Sequence, residues 1–190
     1  MAPVILTLNA GSSSLKFALF RGTGPALLRG LVEGLETGAT ITLHGSQPPS
    51  FALPDLAGQP YEAVLAALLD ALNRSLAEEK IGAVGHRIVH GGQRFVTPVR
   101  IDPEVLVALD SLIPLAPLHQ PHNLAAIHAI AKAYPGLPQV GCFDTAFHRT
   151  LPAVATRLAL PGDLGDAARR GSGGHAVSPL RPAWSLRHQR

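Results

Sequence analysis

Cysteine, aromatic side chains and charge are all scarce in this sequence, and each scarcity narrows the choice of protein class. One cysteine, Cys142, leaves no internal disulfide framework and fits a reducing cytoplasm. Aromatic residues are 5% of the chain, too few for a platform on which nucleic-acid bases could stack. Charged residues are 15% against 46% apolar, compatible with a globular soluble protein. No apolar run reaches the ~18 residues of a membrane span. The start, Met1-Ala-Pro-Val4, lacks the basic-then-apolar layout of a signal peptide. The 190 residues suffice for one sizeable core or two small ones.

The sequence pI of about 9.5 invites a nucleic-acid reading, but the distribution of charge argues against it. Residues 1–150 hold 10 of the 16 Lys and Arg and 11 of the 13 Asp and Glu, so the main body is near neutral. The basic excess belongs to residues 151–190, with 6 basic and 2 acidic side chains. Neither nucleic acid nor a membrane is therefore an expected partner.

Periodicity predicts an α/β layer fold. Residues 4–8 and 15–20 read as strands joined by a small-residue turn, and 26–34 and 39–44 as two further strands. Residues 46–57, with three prolines, read as a loop. A helix is expected over 61–79, where Val64, Leu65, Leu68, Leu69, Leu72 and Leu76 recur at helical spacing after Pro60. A strand over 81–89, a short helix over 103–112, a stiff loop over 114–121, a helix over 123–134 and a strand over 139–143 complete the pattern.

Chemistry concentrates where these elements meet. Asn9-Ala-Gly-Ser-Ser-Ser14 cannot pack a core, yet it offers backbone N–H groups, hydroxyls and one amide. With Lys16 beside it, such a turn suits phosphate, although the Walker A spacing is absent. A Ser-rich hairpin turn with a solvated lysine is the generic alternative. Arg87, between His86 and the His90-Gly-Gly92 run, can pair bidentately with a carboxylate or phosphate. His86 and His90 lie four apart, a metal-site spacing on a helix, but here they fall on an expected strand, where fold-satisfied histidines are the simpler reading. Asp144 ends the last strand, a place for a catalytic or magnesium-linked carboxylate or for a plain helix cap.

Four blocks together resemble the acetate kinase (acetokinase) family: Asn9-Ala-Gly-Ser-Ser-Ser-Leu-Lys-Phe17, His86-Arg-Ile-Val-His-Gly-Gly92, Leu115-Ala-Pro-Leu-His-Gln-Pro121 and Phe143-Asp-Thr-Ala-Phe-His148. The third departs slightly, with Gln120 where Asn is usual. The resemblance implies an actin-like ATPase (ribonuclease H-like) domain with a mixed sheet flanked by helices. It also implies Mg²⁺-dependent phosphoryl transfer between ATP and acetate, giving acetyl phosphate and ADP, in a cytoplasmic homodimer. Arg87 then matches the substrate-anion ligand, and Val89 and Leu118 match walls of the methyl pocket. Asp144 and His119 match catalytic positions. Ser12, Ser14 and Lys16 match groups near the nucleotide phosphates, and Asn9 matches a magnesium-linked residue. Acetate is already ionised near neutral pH, so Asp144 is expected to orient metal-bound water rather than remove a proton. Val89 favours acetate, since propionate-preferring relatives tend to carry a smaller residue there. A propionate or butyrate kinase, or a non-catalytic acyl phosphate-binding fragment, remains the alternative.

The resemblance is legible over residues 3–166. The family's continuation, Arg-Arg-Tyr-Gly-Phe-His-Gly, is replaced by Ala167-Ala-Arg-Arg-Gly-Ser-Gly-Gly-His-Ala176. From Ala168 to Arg190 there are five arginines and no acidic residue. Apolar periodicity is lost, so 167–190 are expected to be a disordered basic tail, with His175 solvated. A reading-frame change near Asp166 accounts for this, and the fragment alone is then expected to be inactive, its second kinase domain missing.

Overall fold

The computed structural model describes residues 3–35, 37–45, 54, 56, 58–76 and 79–146. Most of the loop expected over 46–57 lies outside these residues. So do Phe147, His148, the stretch 158–166 and the basic tail 167–190.

The chain opens with β1 (Val4–Ala10), where Val4, Leu6, Leu8 and Ala10 are buried and the alternate residues are half-buried. That alternation, set by the two-residue period of a strand, gives the sheet one packed and one open face. A meander follows: β2 (Ser14–Arg21), β3 (Ala26–Glu33) and β4 (Thr40–His44) pair antiparallel in sequence order. Next, α1 (Tyr61–Ser75) carries the chain across the sheet, so that β5 (Ile81–Ile88) lies parallel to β1. The two-residue β6 (Val99–Arg100), α2 (Pro103–Asp110), a 3₁₀ turn (Ile113–Leu115) and α3 (Gln120–Ala133) lead to β7 (Gln139–Phe143). Strand β7 runs parallel to β5 and antiparallel to β6. Among the described residues the sheet has seven strands in the order β4-β3-β2-β1-β5-β7-β6.

The packed face is covered by α1 and α3. Leu65, Leu68 and Leu72 of α1 and Ile130 of α3 join Leu6, Leu8, Leu15 and Phe17 in one core. The Tyr134 hydroxyl donates to the Asp70 carboxylate and ties the end of α3 to α1. A second cluster forms where α2 meets the ends of β5 and β7, around Ile88, Val105, Leu109, Ile127 and Phe143. There the Phe95 and Phe143 rings stack with centroids 5.3 Å apart.

The expected mixed sheet flanked by helices is present, with local differences. Helix α3 starts at Gln120, inside the proline-rich stretch read as loop. Pro121 falls in its first turn, where a missing N–H costs nothing. Helix α1 ends at Ser75, earlier than its apolar periodicity suggests. Strand β6 went unpredicted because two residues carry no period to detect. Among the described residues no helix is long and apolar enough to cross a membrane.

Candidate functional site

Strand register gathers the predicted site residues before any side-chain contact is considered. Asn9 lies directly opposite Lys16 in the β1–β2 ladder. Thr7 pairs with Gly85 across the parallel β1–β5 ladder, so Asn9 and Arg87, each two residues further on, share its face. Arg87 in turn pairs with Cys142, two residues before Asp144. Asn9, Lys16, Arg87 and Asp144 thus form a row across the open face, at the carboxyl ends of parallel strands β1, β5 and β7. Crevices at such strand ends are where open α/β sheets take ligands.

Arg87 is the hub of the row. Its Nε donates to Asp144 Oδ1 at 2.9 Å, and its Nη2 donates to Asp144 Oδ2 at 2.6 Å. Its Nη1 donates to Asn9 Oδ1 at 3.0 Å. A guanidinium has more N–H donors than these contacts use, so the fork can still receive an anion. The Arg87 and Asp144 side chains are 43% and 31% exposed. An ion pair this wet is worth about 1 kcal/mol or less, and a ligand can rearrange it cheaply.

Side chains also pin the loop that follows β5. Val89 N–H donates to Asn123 Oδ1 at 3.0 Å, and Gly91 N–H donates to Thr145 Oγ1 at 3.0 Å. Gly92 N–H donates to His90 Nδ1 at 2.9 Å, while Gln120 Nε2 donates to the His90 carbonyl at 3.1 Å. The two glycines are sterically required. A Cβ on Gly91 would stand 2.5 Å from the Phe95 carbonyl oxygen, and Gly92 has φ +61°.

Not every predicted residue joins the row. Val89 is 7% exposed and forms part of the loop's buried side. Leu118 is 76% exposed, so in this chain it walls no closed pocket. His119 is the N-cap residue of α3 and exposed. Ser14 opens β2 and is half-buried, whereas Ser12 is exposed in the turn. Ser12 lines a separate cleft of about 360 Å³ together with Tyr61 and His122.

The two motif histidines are engaged by the fold. His86 is 2% exposed, and its Nε2 lies 2.8 Å from Gln139 Oε1. Burial pushes its pKa down to about 4, with the Gln139 hydrogen bond opposing. His86 is therefore a neutral core residue at pH 7. Cys142, beside Arg87 in the ladder, has its thiol pKa raised by partial burial. Among the described residues no three His, Cys, Asp or Glu side chains cluster as a metal site. The oxygen pair Asn9 Oδ1 and Asp144 does converge on one cation, the Arg87 guanidinium. Two protein oxygens of this kind match the donor set of Mg²⁺, which keeps several waters and takes the rest from phosphate. Sequence reading missed Asn123, Gln120 and Thr145. Their polar types in or beside motif blocks were the signal, but only the fold shows what they touch.

This architecture is that of the actin-like ATPase domains. It superposes on Porphyromonas gingivalis acetate kinase with a TM-score of 0.76 at 37% identity, covering 97% of this chain and 49% of that one. It also superposes on a propionate kinase from Francisella tularensis subsp. tularensis with a TM-score of 0.75 at 35% identity, covering 99% and 50%. The acetokinase family model matches residues 4–179, and the chain belongs to that family. Acetate kinase of Rhodopseudomonas palustris is 43% identical over 187 residues, 94% of this chain and 46% of its own length. The Deinococcus radiodurans acetate kinase is 48% identical over 159 residues, 82% of this chain and 39% of its own. The chain spans about half the length of the curated relatives it matches. The family match extends past Asp166, where the motif-level resemblance stops, to residue 179.

Proposed function

We propose that this chain carries the carboxylate- and metal-facing half of a kinase that transfers a phosphoryl group between ATP and acetate. The observation that carries the reading is the Arg87 fork, held by Asn9 and Asp144 at the carboxyl ends of the parallel strands. Arg87 binds the carboxylate of acetate, or the same oxygens of acetyl phosphate, and holds it in line for attack. Lys16, opposite Asn9, and the hydroxyls of Ser12 and Ser14 balance phosphate charge along the turn. Asn9 and Asp144 hold Mg²⁺ and its waters. When bound, Mg²⁺ neutralises charge on the phosphate oxygens. Phosphoryl transfer asks for little else than such positioning and charge stabilisation. His119 stands near the transferring group. The buried, β-branched Val89 limits the acyl chain, with Leu118 closing the pocket once the relatives' remaining length is present. The adenosine end of ATP falls to that remaining length, as does the pairing into a cytoplasmic homodimer.

The same reading covers the tail. Residues 1–166 are the kinase domain and 167–190 a continuation from a shifted frame near Asp166, a placement that the family match running on to residue 179 counts against. Translating the gene in three frames past codon 155 tests this. A frame that resumes with Tyr-Gly-Phe-His-Gly supports it, and none doing so removes it.

Activity is tested by trapping acetyl phosphate as its hydroxamate from ATP, acetate and Mg²⁺. The chain is assayed alone and with a polypeptide supplying the rest of a relative. Product only in the mixture is the expected result; a folded mixture that makes none overturns the kinase reading. The likeness to a propionate kinase favours one second reading, that propionate is the better substrate. Competing acetate against propionate in the same assay decides between them.

A further inference from the structure

Strands β1 and β5 pair through Leu8 and His86, and the ladder stops there although both strands run on to Ala10 and Ile88. In a ladder continued past β5, the Ala10 carbonyl would accept directly from the Val89 N–H, one step beyond its register partner Ile88. Instead the amide of Asn123, from the first turn of α3, stands between them. Its Nδ2 donates to the Ala10 carbonyl at 2.8 Å, and its Oδ1 accepts from Val89 N–H at 3.0 Å. Asn123 is 3% exposed, Ala10 and Val89 are 7% each, and both hydrogen bonds are buried, so a broken one would leave its backbone group poorly solvated.

We propose that Asn123 is a positioning residue, an inserted rung that sets the gap between the β1 and β5 tips and thereby the placement of Asn9 and Arg87. Asn9 immediately precedes Ala10, and Arg87 lies two residues before Val89. On the packed side the gap is spanned by Asn123; on the open face it is spanned by the Asn9–Arg87 hydrogen bond of 3.0 Å. One carboxamide width therefore fixes the opening into which a carboxylate must fit. Only an amide of this length does this: aspartate lacks the donor for Ala10, leucine lacks both functions, and glutamine is a methylene too long. Gln120, one turn earlier on α3, separately anchors the His90 carbonyl of the same loop.

The consequence for ligand binding rests on the function proposed above; the consequence for Arg87 does not. The test uses the 190-residue chain, its N123D variant and, should that fail to fold, N123S, which leaves room for water. The first readout is the Arg87 Nε–Hε cross-peak and its exchange rate by NMR. The second is acetyl phosphate affinity by titration. In the folded variant the Arg87 signal is expected to shift and exchange faster while α1 and β2–β3 amides stay unchanged. Affinity is expected to fall about tenfold or more, since small misplacements of a binding group are costly. A folded variant with a wild-type Arg87 signal overturns the inference, even if its melting temperature has dropped. If the wild-type chain binds no acetyl phosphate, the functional reading is in trouble while the Arg87 signal still judges Asn123. Wild-type Asn123 Nδ2 protons exchanging at the rate of a free amide would sink the inference without any variant.

Discussion

At the residue scale Arg87 and His86 are neighbours with opposite fates. Strand alternation sends Arg87 to the open face and His86 into the core. Replacing Arg87 by lysine keeps the charge but loses the planar fork that meets both Asp144 oxygens. Acetyl phosphate affinity is expected to fall at least about tenfold, with stability changed by about 1 kcal/mol or less because the pair is wet. Titration and thermal unfolding of Arg87→Lys check both halves. His86 gives a pH signature. Its folded pKa of about 4 lies below the ordinary 6.5, so the unfolded chain binds the extra proton. The stability this group contributes is fully present above pH 6.5 and is lost as pH falls toward 4. The slope in that window approaches about 1.4 kcal/mol per pH unit. Denaturant melts between pH 7 and 4 should show it, and His86→Gln should flatten it; an unchanged slope in the variant would assign the titration elsewhere.

Elements place what residues supply. Helix α2 starts cleanly because Asp102 accepts from Val105 N–H at 2.8 Å and Pro103 occupies the first turn. Asp102→Ala is expected to cost about 1 kcal/mol and to speed amide exchange in that turn first. Helix α1 offers a harder test of the core. Leu68 is 0% exposed, and Leu68→Ala should cost about 2–5 kcal/mol, the upper end if the cavity stays open. Strand register was implicit in the sequence only as far as alternation and turn length reach. Alternation gave each strand its two faces, and the short Gly11–Ser13 turn fixed Asn9 opposite Lys16. The parallel pairing of β1 with β5, across α1 and the seventy intervening residues 11–80, needed the whole layer.

For the molecule as a whole, the described residues carry a seven-stranded sheet with one face covered by α1 and α3. The open face bears the row of Asn9, Lys16, Arg87 and Asp144, and under the proposed function the adenosine-side groups belong to the part of the relatives that this chain does not span. Mixing with the rest of a relative should raise the melting temperature of this chain and, if the proposed function holds, give turnover. Scanning calorimetry on the mixture, against the two components run separately, reads the first effect without depending on the second.

The sequence by itself determined the element types other than β6 and the 3₁₀ turn, the packed faces of β1 and α1, and the four motif blocks. These follow from local period and residue chemistry, which need no partner. It also marked Asn9, Arg87 and Asp144 as candidates. Only tertiary structure decided that these three meet through one guanidinium. Only tertiary structure decided, too, that Leu118 is exposed and that Asn123 stands in for a ladder rung. Each of those depends on groups brought from distant parts of the chain to one place, and a sidechain amide on a helix carries no local sign of the strands it will join.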